Sequence, residues 1–250
     1  MISKARIKLI TSLQQQKYRK KYGLFVAEGT TNVLDFLQSG IKAEEVFATA
    51  AWIEKHGEDT GGIPVTEVNM KELRKISSLK NPSEVLAVLA QPPETTPDLA
   101  KVNDLVLMLD DLHDPGNMGT IIRTADWFGI RTIICSEDTV DVYNPKVVQA
   151  SMGSLARVQV SYTNLYELLK SKPDYLEVFG AVLDGKNITD LPKPKLGIIL
   201  IGSEAHGISE KLMPLIDHKM TIPGMPAENG SAESLNASIA TAITCYEFRR

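Results

Sequence analysis

The sequence predicts an α/β protein whose C-terminal part contains a parallel sheet covered by helices. From Leu105 onward, short continuous apolar runs of strand length alternate with helical segments, which is typical of strands buried on both faces. Three segments rich in small and polar residues follow predicted strands or begin predicted helices: 114–125, 201–208 and 234–238. Ligands of such sheets bind outside the carboxyl ends of the strands. We therefore expect the three segments to form one site.

Length and composition indicate two domains. The chain has 250 residues, of which 43% are hydrophobic, enough to bury a substantial core in each half. A turn-rich stretch begins at Gln91 and contains three prolines before Asp98, as in a linker. We predict a small α/β domain at 1–92, a linker at 93–103 and a second α/β domain with the parallel sheet at 104–250.

Apolar periodicity places the individual elements. In the first domain it predicts a basic helical stretch ending near Tyr22, strands at 24–27, 46–49, 63–68 and 85–89, and helices at 30–38 and 70–76. In the second it predicts strands at 105–110, 131–135, 157–160, 178–183, 197–201 and 220–222, and helices at 117–128, 145–152, 165–169 and 235–248.

Several classes of protein are disfavoured. The four histidines are scattered, without Cys or carboxylate partners at metal-ligand spacing, so no metal site is expected. The two cysteines are read as small core residues. The apolar stretches are too short to span a bilayer and the start lacks an apolar signal region. A P-loop is also missing from the sequence. We expect a soluble, cytoplasmic protein.

The first polar segment starts a helix and contains Arg123. The apolar residues of this helix fall on one face, and Arg123 points nearly opposite, above the small neighbours Gly119 and Thr120. The preceding turn at 115–117 offers free backbone N–H groups suited to an anion such as phosphate. An ordinary solvated arginine remains the alternative.

The second and third segments allow both a functional and a purely structural interpretation. Glycines at 202 and 207 would let the backbone approach a ligand closely, and Glu204 could accept hydrogen bonds, act as a base or simply begin a helix. Ser234 is a natural N-cap of the last helix, and Asn236 is a plausible capping partner.

The N-terminal 27 residues are strongly basic. They contain seven Lys or Arg residues and no acidic residue before Glu28, although the whole chain has a net charge of −4. Tyr18 and Tyr22 are interleaved with these cations. Such asymmetry favours contact with nucleic-acid phosphates over a solvated helix face, which would mix both signs.

Together these residues resemble the SpoU (TrmH-type) family of RNA ribose methyltransferases in the SPOUT superfamily. Three family motifs match in order and spacing: Asn117, Gly119, Arg123, Thr124 and Ala125; then Gly202, Glu204 and Gly207; then Ile222, Pro223, Gly230, Ser234, Leu235, Asn236 and Ser238. More loosely, Phe25–Gly29 and Ile76–Pro82 resemble the substrate-binding domain of the ribosomal-RNA members.

The resemblance implies a C-terminal trefoil knot, S-adenosylmethionine as cofactor and a homodimer with the active site at its interface. It assigns catalysis and substrate positioning to Asn117, Arg123, Glu204, Ser234 and Asn236. It assigns the cofactor to Leu183, Gly202, Ser203, Ile222 and Leu235. We expect RNA contact from Lys17, Arg19, Lys20 and Lys21, and neither metal nor membrane as partner.

The implied reaction is methylation of a ribose 2′-hydroxyl of RNA, and the N-terminal resemblance favours ribosomal RNA as the substrate. The family casts Arg123 as the base, but a guanidinium keeps its proton far above neutral pH, so clamping the phosphate beside the target ribose is its minimum role. The stretch between Pro223 and Gly230 is longer than the usual family turn. The alternatives are a tRNA 2′-O-methyltransferase and a non-catalytic RNA-binding or ribosome-assembly factor. A nucleotide-dependent oxidoreductase is disfavoured, since its Gly-x-Gly-x-x-Gly fingerprint is missing from the sequence.

Overall fold

The computed structural model describes residues 2–225 and 232–250. It forms two compact units: Met1–Pro93 with Asp141–Arg157, and Glu94–Val140 with Val158–Arg250. The segment Asp141–Arg157, which the sequence division counted with the second domain, is therefore part of the first unit.

The first unit is built around a sheet that, within the described residues, has four strands in the order β1-β4-β2-β3. β4 is antiparallel to β1 and β2, and β3 is parallel to β2. The elements are α1 (Lys4–Ser12), α2 (Gln16–Tyr22), β1 (Leu24–Glu28), α3 (Thr30–Gln38), β2 (Ala43–Ala48), α4 (Ala50–His56), β3 (Val65–Glu67), α5 (Met70–Ile76) and β4 (Val85–Ala90). The helix α7 (Pro145–Ser151) belongs to the same unit.

Glu28 joins the two motifs that the sequence singled out in this unit. It lies at the end of β1 and is only 4% exposed. Its carboxylate accepts hydrogen bonds from the Ser78 amide at 2.8 Å, from Ser78 Oγ at 2.7 Å and from Ser77 Oγ. These donors satisfy a carboxylate that would otherwise be costly to bury. Hydrogen bonds to Glu28 therefore connect the segment Phe25–Gly29 to the residues that follow α5.

The second unit contains a sheet whose described strands number six, in the order β10-β8-β9-β5-β6-β7. All neighbouring strands are parallel, as the continuous apolar runs predicted. The elements are β5 (Leu105–Leu109), α6 (Pro115–Trp127), β6 (Thr132–Cys135), β7 (Gln159–Tyr162), α8 (Leu165–Lys170), β8 (Val178–Asn187), β9 (Gly197–Ile201), β10 (His218–Thr221) and α9 (Ala237–Arg249).

The α6 helix shows how the sequence sets its local structure. Asp114 caps its N-terminus through Oδ1, which accepts the Asn117 amide at 2.7 Å, and Pro115 occupies the first turn. The apolar side chains Met118, Ile121, Ile122 and Ala125 are fully buried. Gly129, with φ of 71°, follows the last turn in the left-handed conformation that favours glycine.

The pairing of β8 with β10 is interrupted near the site. Lys219 pairs with Gly180, but the next residue, Met220, pairs with Lys186. Residues 181–185 therefore leave the ladder between two paired stretches. A Cβ at Gly185 would lie 2.5 Å from the backbone carbon of Met220, so only glycine fits there. The trefoil knot implied by the resemblance stays a prediction.

The elements differ from the predicted ones in a few places. The helix α4 was not predicted, and α9 begins at residue 237 instead of 235. Four strands are shifted or longer: β2 lies at 43–48 instead of 46–49, β7 at 159–162 instead of 157–160, β8 at 178–187 instead of 178–183 and β10 at 218–221 instead of 220–222. In the part of the chain that the structure describes, no helix is long and apolar enough to cross a membrane.

Candidate active site

A tight turn after β9 carries the second motif. Ser203 N donates to Gly207 O at 3.1 Å, and Gly207 N donates back to Ser203 O at 2.9 Å. Gly207 has φ of 68°, and a Cβ at Gly202 would lie 2.1 Å from the Gly207 carbonyl carbon. The close packing of the turn therefore requires glycine at 202, and the left-handed backbone at 207 favours glycine. The turn exposes Glu204 and starts no α-helix, so the interpretation of Glu204 as a helix-start carboxylate is wrong.

Asn117 connects the three motifs. Its Nδ2 donates to Glu204 Oε1, and its Oδ1 accepts from Asn236 Nδ2 at 3.0 Å. Asn117 lies on α6, Glu204 in the turn after β9 and Asn236 at the start of α9. The three segments predicted from the sequence therefore meet through side-chain hydrogen bonds.

The orientation of both amides follows from their partners. Asn236 Oδ1 caps α9 by accepting from Ser238 N at 3.0 Å, Ile239 N at 3.3 Å and Ser238 Oγ at 2.7 Å. Because that oxygen is used, only the NH₂ group of Asn236 can face Asn117, which must then present its oxygen. The remaining NH₂ group of Asn117 points to the acceptor oxygen of Glu204. Each amide is fixed by the next.

Ser234 does not cap the last helix. The N-cap is Asn236, so the expectation that Ser234 fills this position is wrong. Ser234 is exposed and lines a cavity beside the network. Its hydroxyl is therefore not engaged as a helix cap.

The cavity has a volume of about 480 Å³ and is bounded by the turn after β9, the irregular part of β8 and the start of α9. Its size lies within the range of about 300–1,000 Å³ that is usual for small-molecule sites. All five residues assigned to the cofactor line it: Leu183, Gly202, Ser203, Ile222 and Leu235. Leu183 and Leu235 are 76% and 46% exposed, so apolar side chains at this cavity are open to a ligand. Gly230 and most of the long stretch after Pro223 lie outside the described residues.

Arg123 stands apart from this network. It is exposed on α6, and among residues 2–225 and 232–250 no hydrogen bond or ion pair engages its guanidinium. Thr120, one turn earlier, bonds to the Gly116 carbonyl through its own hydroxyl. No described residue therefore occupies the guanidinium, and it can bind an anion.

The predicted RNA-contact residues separate into two kinds. Lys17, Lys20 and Lys21 are exposed on α2, whereas Arg19 is only 2% exposed. Its Nη1 donates to the carbonyls of Leu13 and Gln14 at 2.8 and 2.9 Å, and its Nη2 lies 2.5 Å from Asp141 Oδ2. Arg19 therefore holds the first unit together, and its assignment as a phosphate contact is corrected on this ground.

Sequence reasoning missed two sets of residues. Asp110, 3% exposed at the end of β5, accepts the Ser209 amide at 2.7 Å and so holds the segment that follows the turn. Next to α1, the helix α5 and its following loop add exposed cations at Lys71, Arg74, Lys75 and Lys80. Their helical spacing was visible in the sequence, but their position beside α1 depends on tertiary packing.

Neither cysteine has the character of a nucleophile. Burial raises the pKa of the Cys135 thiol far above its usual range and that of Cys245 to about 12. The described residues contain no group of His, Cys, Asp and Glu arranged to hold a metal ion.

The fold and the site define a two-unit α/β protein with a cavity of small-molecule size at the carboxyl ends of parallel strands. The SpoU rRNA Methylase family matches residues 104–246, more than half of the chain, and the MRM3-like substrate binding domain matches residues 4–87. The chain belongs to the SpoU rRNA methylase family.

Individual relatives extend over nearly the whole chain. The 23S rRNA (guanosine(2553)-2′-O)-methyltransferase RlmP of Bacillus subtilis is 29% identical over 95% of this chain and 93% of its own length. A putative RNA methyltransferase of the TrmH family from Porphyromonas gingivalis has a TM-score of 0.89 and 38% identity, covering 100% and 98% of the two chains. The AdoMet-bound rRNA methyltransferase from Sinorhizobium meliloti has a TM-score of 0.86 and 30% identity, covering 100% and 96%.

Proposed function

We propose that the protein transfers a methyl group from S-adenosylmethionine to a ribose 2′-hydroxyl of ribosomal RNA. The observation that carries this proposal is the hydrogen-bonded chain of Glu204, Asn117 and Asn236 beside the cavity. It fixes polar groups of the family motifs at the carboxyl ends of parallel strands. The Bacillus subtilis relative is named as a 23S rRNA 2′-O-methyltransferase, which supports the substrate class.

The residues around the cavity suit the cofactor. Leu183, Ile222 and Leu235 offer apolar surface to its adenosine part, and the turn at 202–203 offers backbone groups at close range. When bound, S-adenosylmethionine supplies an electrophilic methyl group on a sulfonium. A related structure holds AdoMet. The protein's part is to bind this group and to exclude water around it.

The protein's side chains orient the acceptor. In the transfer, the ribose 2′-oxygen forms a bond to the methyl carbon, the sulfur–carbon bond breaks, and the hydroxyl proton is released. In-line geometry is the main requirement. Arg123, whose guanidinium has no partner among the described residues, clamps a phosphate beside the target ribose. The Glu204–Asn117–Asn236 chain and Ser234 hold the ribose edge of the site.

The homodimer is also part of this proposal. Leu235, Ile239, Ile243 and Tyr246 are 46, 50, 37 and 57% exposed along the start and one side of α9. They point away from the buried face that contains Thr241 and Cys245. An exposed apolar stripe of this kind marks an interface, and a second copy of the chain is the partner that the family resemblance implies.

We assign RNA binding to the first predicted domain, 1–92, and methyl transfer to 104–250, with 93–103 between them. Exposed lysines on α1 and α2, together with the cations of α5, give one unit a strongly basic surface in an acidic chain. A cytoplasmic location belongs to the same proposal, since two buried, unpaired cysteines fit a reducing compartment.

The direct test is methyl transfer in vitro. Purified protein is incubated with isotopically labelled S-adenosylmethionine and unmodified ribosomal RNA, and 2′-O-methylated nucleotides are mapped by resistance to alkaline cleavage. We expect label at a discrete ribose in ribosomal RNA and none in transfer RNA. Label in transfer RNA alone, or cofactor binding without transfer to any RNA, would overturn the proposal.

A further inference from the structure

Two tyrosines on α2 form a ring pair on the surface of the first unit. The centroids of Tyr18 and Tyr22 lie 6.3 Å apart and their planes differ by 12°, so the rings are stacked with an offset. Tyr18 is half-buried and Tyr22 is 41% exposed. The outer ring therefore presents aromatic surface to solvent.

Each ring has a lysine beside it. The Nζ of Lys17 lies 4.9 Å from the Tyr18 centroid, and the Nζ of Lys21 lies 5.4 Å from the Tyr22 centroid. Both lysines are exposed, and being four residues apart they lie on the same face of α2. An exposed ammonium–ring contact is weak, so an incoming base can displace it. The displaced ammonium is then free to pair with a phosphate.

The backbone that carries the rings is held rigidly. Arg19, between the two tyrosines, is buried and bonds to the carbonyls that follow α1 and to Asp141. At the other end Gly23 closes α2 with φ of 63°, and its carbonyl accepts the Gln91 amide at 2.7 Å. Rigid presentation reduces the ordering cost of binding.

This combination distinguishes between forms of RNA. Aromatic rings beside a cationic track bind bases whose faces are free, as in single-stranded segments and loops. In a duplex the base faces are already stacked, and only the phosphates remain for the lysines. A base stacked on Tyr22 would thus require an unpaired nucleotide.

We propose that Tyr22, supported by Tyr18, is a stacking platform for one unpaired base of the RNA substrate, with Lys17 and Lys21 on the adjacent phosphates. This rests on the proposed function, because it takes RNA as the substrate. It adds a substrate class: a loop or bulge in place of a continuous helix.

The test compares two RNAs of equal length, a hairpin with an unpaired loop and a fully paired duplex. Binding is measured by fluorescence anisotropy for the full-length wild type, Tyr22→Ala and Tyr22→Phe, with Tyr175→Ala as a matched control. Tyr175 is 60% exposed in the second unit. We expect Tyr22→Ala to weaken hairpin binding about 5- to 150-fold, the range seen for loss of one stacked base. Duplex binding should not change, and Tyr22→Phe and Tyr175→Ala should behave as wild type.

Two further readings make the result specific. A 2-aminopurine in the loop should be quenched by the wild type and Tyr22→Phe but not by Tyr22→Ala. Lys17→Gln with Lys21→Gln should lower the salt dependence of binding for both RNAs. Unchanged hairpin binding by Tyr22→Ala, or equal weakening of hairpin and duplex, overturns the platform. If the wild type then still methylates ribosomal RNA, the proposed function stands; if the platform is found but no RNA is methylated, the proposed function fails alone.

Discussion

Asn236 donates to Asn117 across 3.0 Å, and this bond joins the cap of the last helix to the first turn of α6. The same Asn117 side chain donates to Glu204. One amide thus holds together segments that are 87 and 119 positions apart in the chain. Because its oxygen and its nitrogen have different partners, the site requires an amide at this position.

Replacing Asn117 by Asp tests this requirement. A carboxylate there would face Glu204 at hydrogen-bond range and could no longer donate to it, so like-charge repulsion would separate the motifs. We expect the rate of methyl transfer, kcat/KM, to fall about 10- to 100-fold while the fold is retained. Asn164→Asp is the control, since Asn164 caps α8 with its oxygen alone. A wild-type rate for Asn117→Asp would contradict the role of the network.

Arg123→Ala should abolish methyl transfer while leaving cofactor affinity nearly unchanged. The guanidinium has no partner among the described residues, so its removal costs little stability, but the phosphate of the acceptor loses its clamp. We expect kcat to fall by about 100-fold or more and the calorimetric Kd for S-adenosylmethionine to change less than about twofold. Arg123→Lys should recover only part of the rate because the bidentate geometry is lost. Wild-type turnover by Arg123→Ala would contradict the assignment of Arg123 as the phosphate clamp.

Gly202→Ala should damage the cofactor cavity. Its Cβ would lie 2.1–2.3 Å from backbone atoms of Gly207 and Ile208, so the turn after β9 must move. We expect cofactor affinity to fall by about tenfold or more and Tm to drop. Gly207→Ala is the comparison: it meets nothing within 4 Å and adds only about 1–2 kcal/mol of left-handed strain. Calorimetry measures the cofactor affinity of both variants, and thermal melts measure their Tm. Equal losses in the two variants would count against close packing at Gly202.

Ile239→Glu should convert a dimer into a monomer. Ile239 is 50% exposed in the apolar stripe of α9, and a carboxylate there would be buried without a partner if two copies meet on this face. Sedimentation velocity should give half the wild-type mass. Tyr175→Glu, exposed elsewhere in the second unit, should leave the mass unchanged. A wild type that sediments as a monomer would refute the interface.

The two cysteines predict a specific pH dependence of stability. Burial raises the pKa of both thiols, that of Cys245 to about 12, whereas an unfolded thiol titrates near pH 8.5. Below about pH 8.5 the thiol keeps its proton in both the folded and the unfolded state, so its full contribution to the free energy of unfolding is present. Above that pH the unfolded state releases protons first, so the free energy of unfolding falls by up to about 1.4 kcal/mol per pH unit for each thiol.

Urea unfolding between pH 7 and 10.5 measures this loss. Other groups also titrate in this range, so the wild type is compared with Cys135→Ala. In this variant the free energy of unfolding should fall less steeply with pH, because only one buried thiol remains. A disulfide-exchange reagent at pH 8 should leave both thiols of the native protein unreacted and should modify two per chain after unfolding. Rapid modification of the native protein would show that the thiols are accessible.

Much of the second unit could be predicted because its signals are local. The apolar runs placed β5 and β9, and the helical stripe with Gly129 placed α6. The order and spacing of the motifs predicted that Asn117, Glu204 and Asn236 share one site. Residues 226–231 lie outside the described part of the chain, so the longer turn before Gly230 stays a prediction.

What the sequence could not give depends on tertiary packing. Lys17 and Arg19 are both cations in one basic run, but Arg19 is buried against Asp141 and the carbonyls that follow α1, whereas Lys17 is exposed. Asn236 caps α9 in place of Ser234, because the helix begins at residue 237 and Asn236 Oδ1 accepts the amides of Ser238 and Ile239. The break in β8 at 181–185 follows from its register with β10, which local periodicity does not contain.

The route of the chain between β6 and β7 sets a limit on how this protein can be taken apart. These strands are neighbours in the second sheet, yet most of the crossover between them, Asp141–Arg157, belongs to the first unit. A fragment beginning at residue 94 would keep α7 without β1, the strand it packs on, and would expose the buried Val147 and Val148. Exchange of the first unit between relatives therefore needs three junctions in the gene, after residues 93, 140 and 157, and a single junction in the linker would produce chimaeras that aggregate.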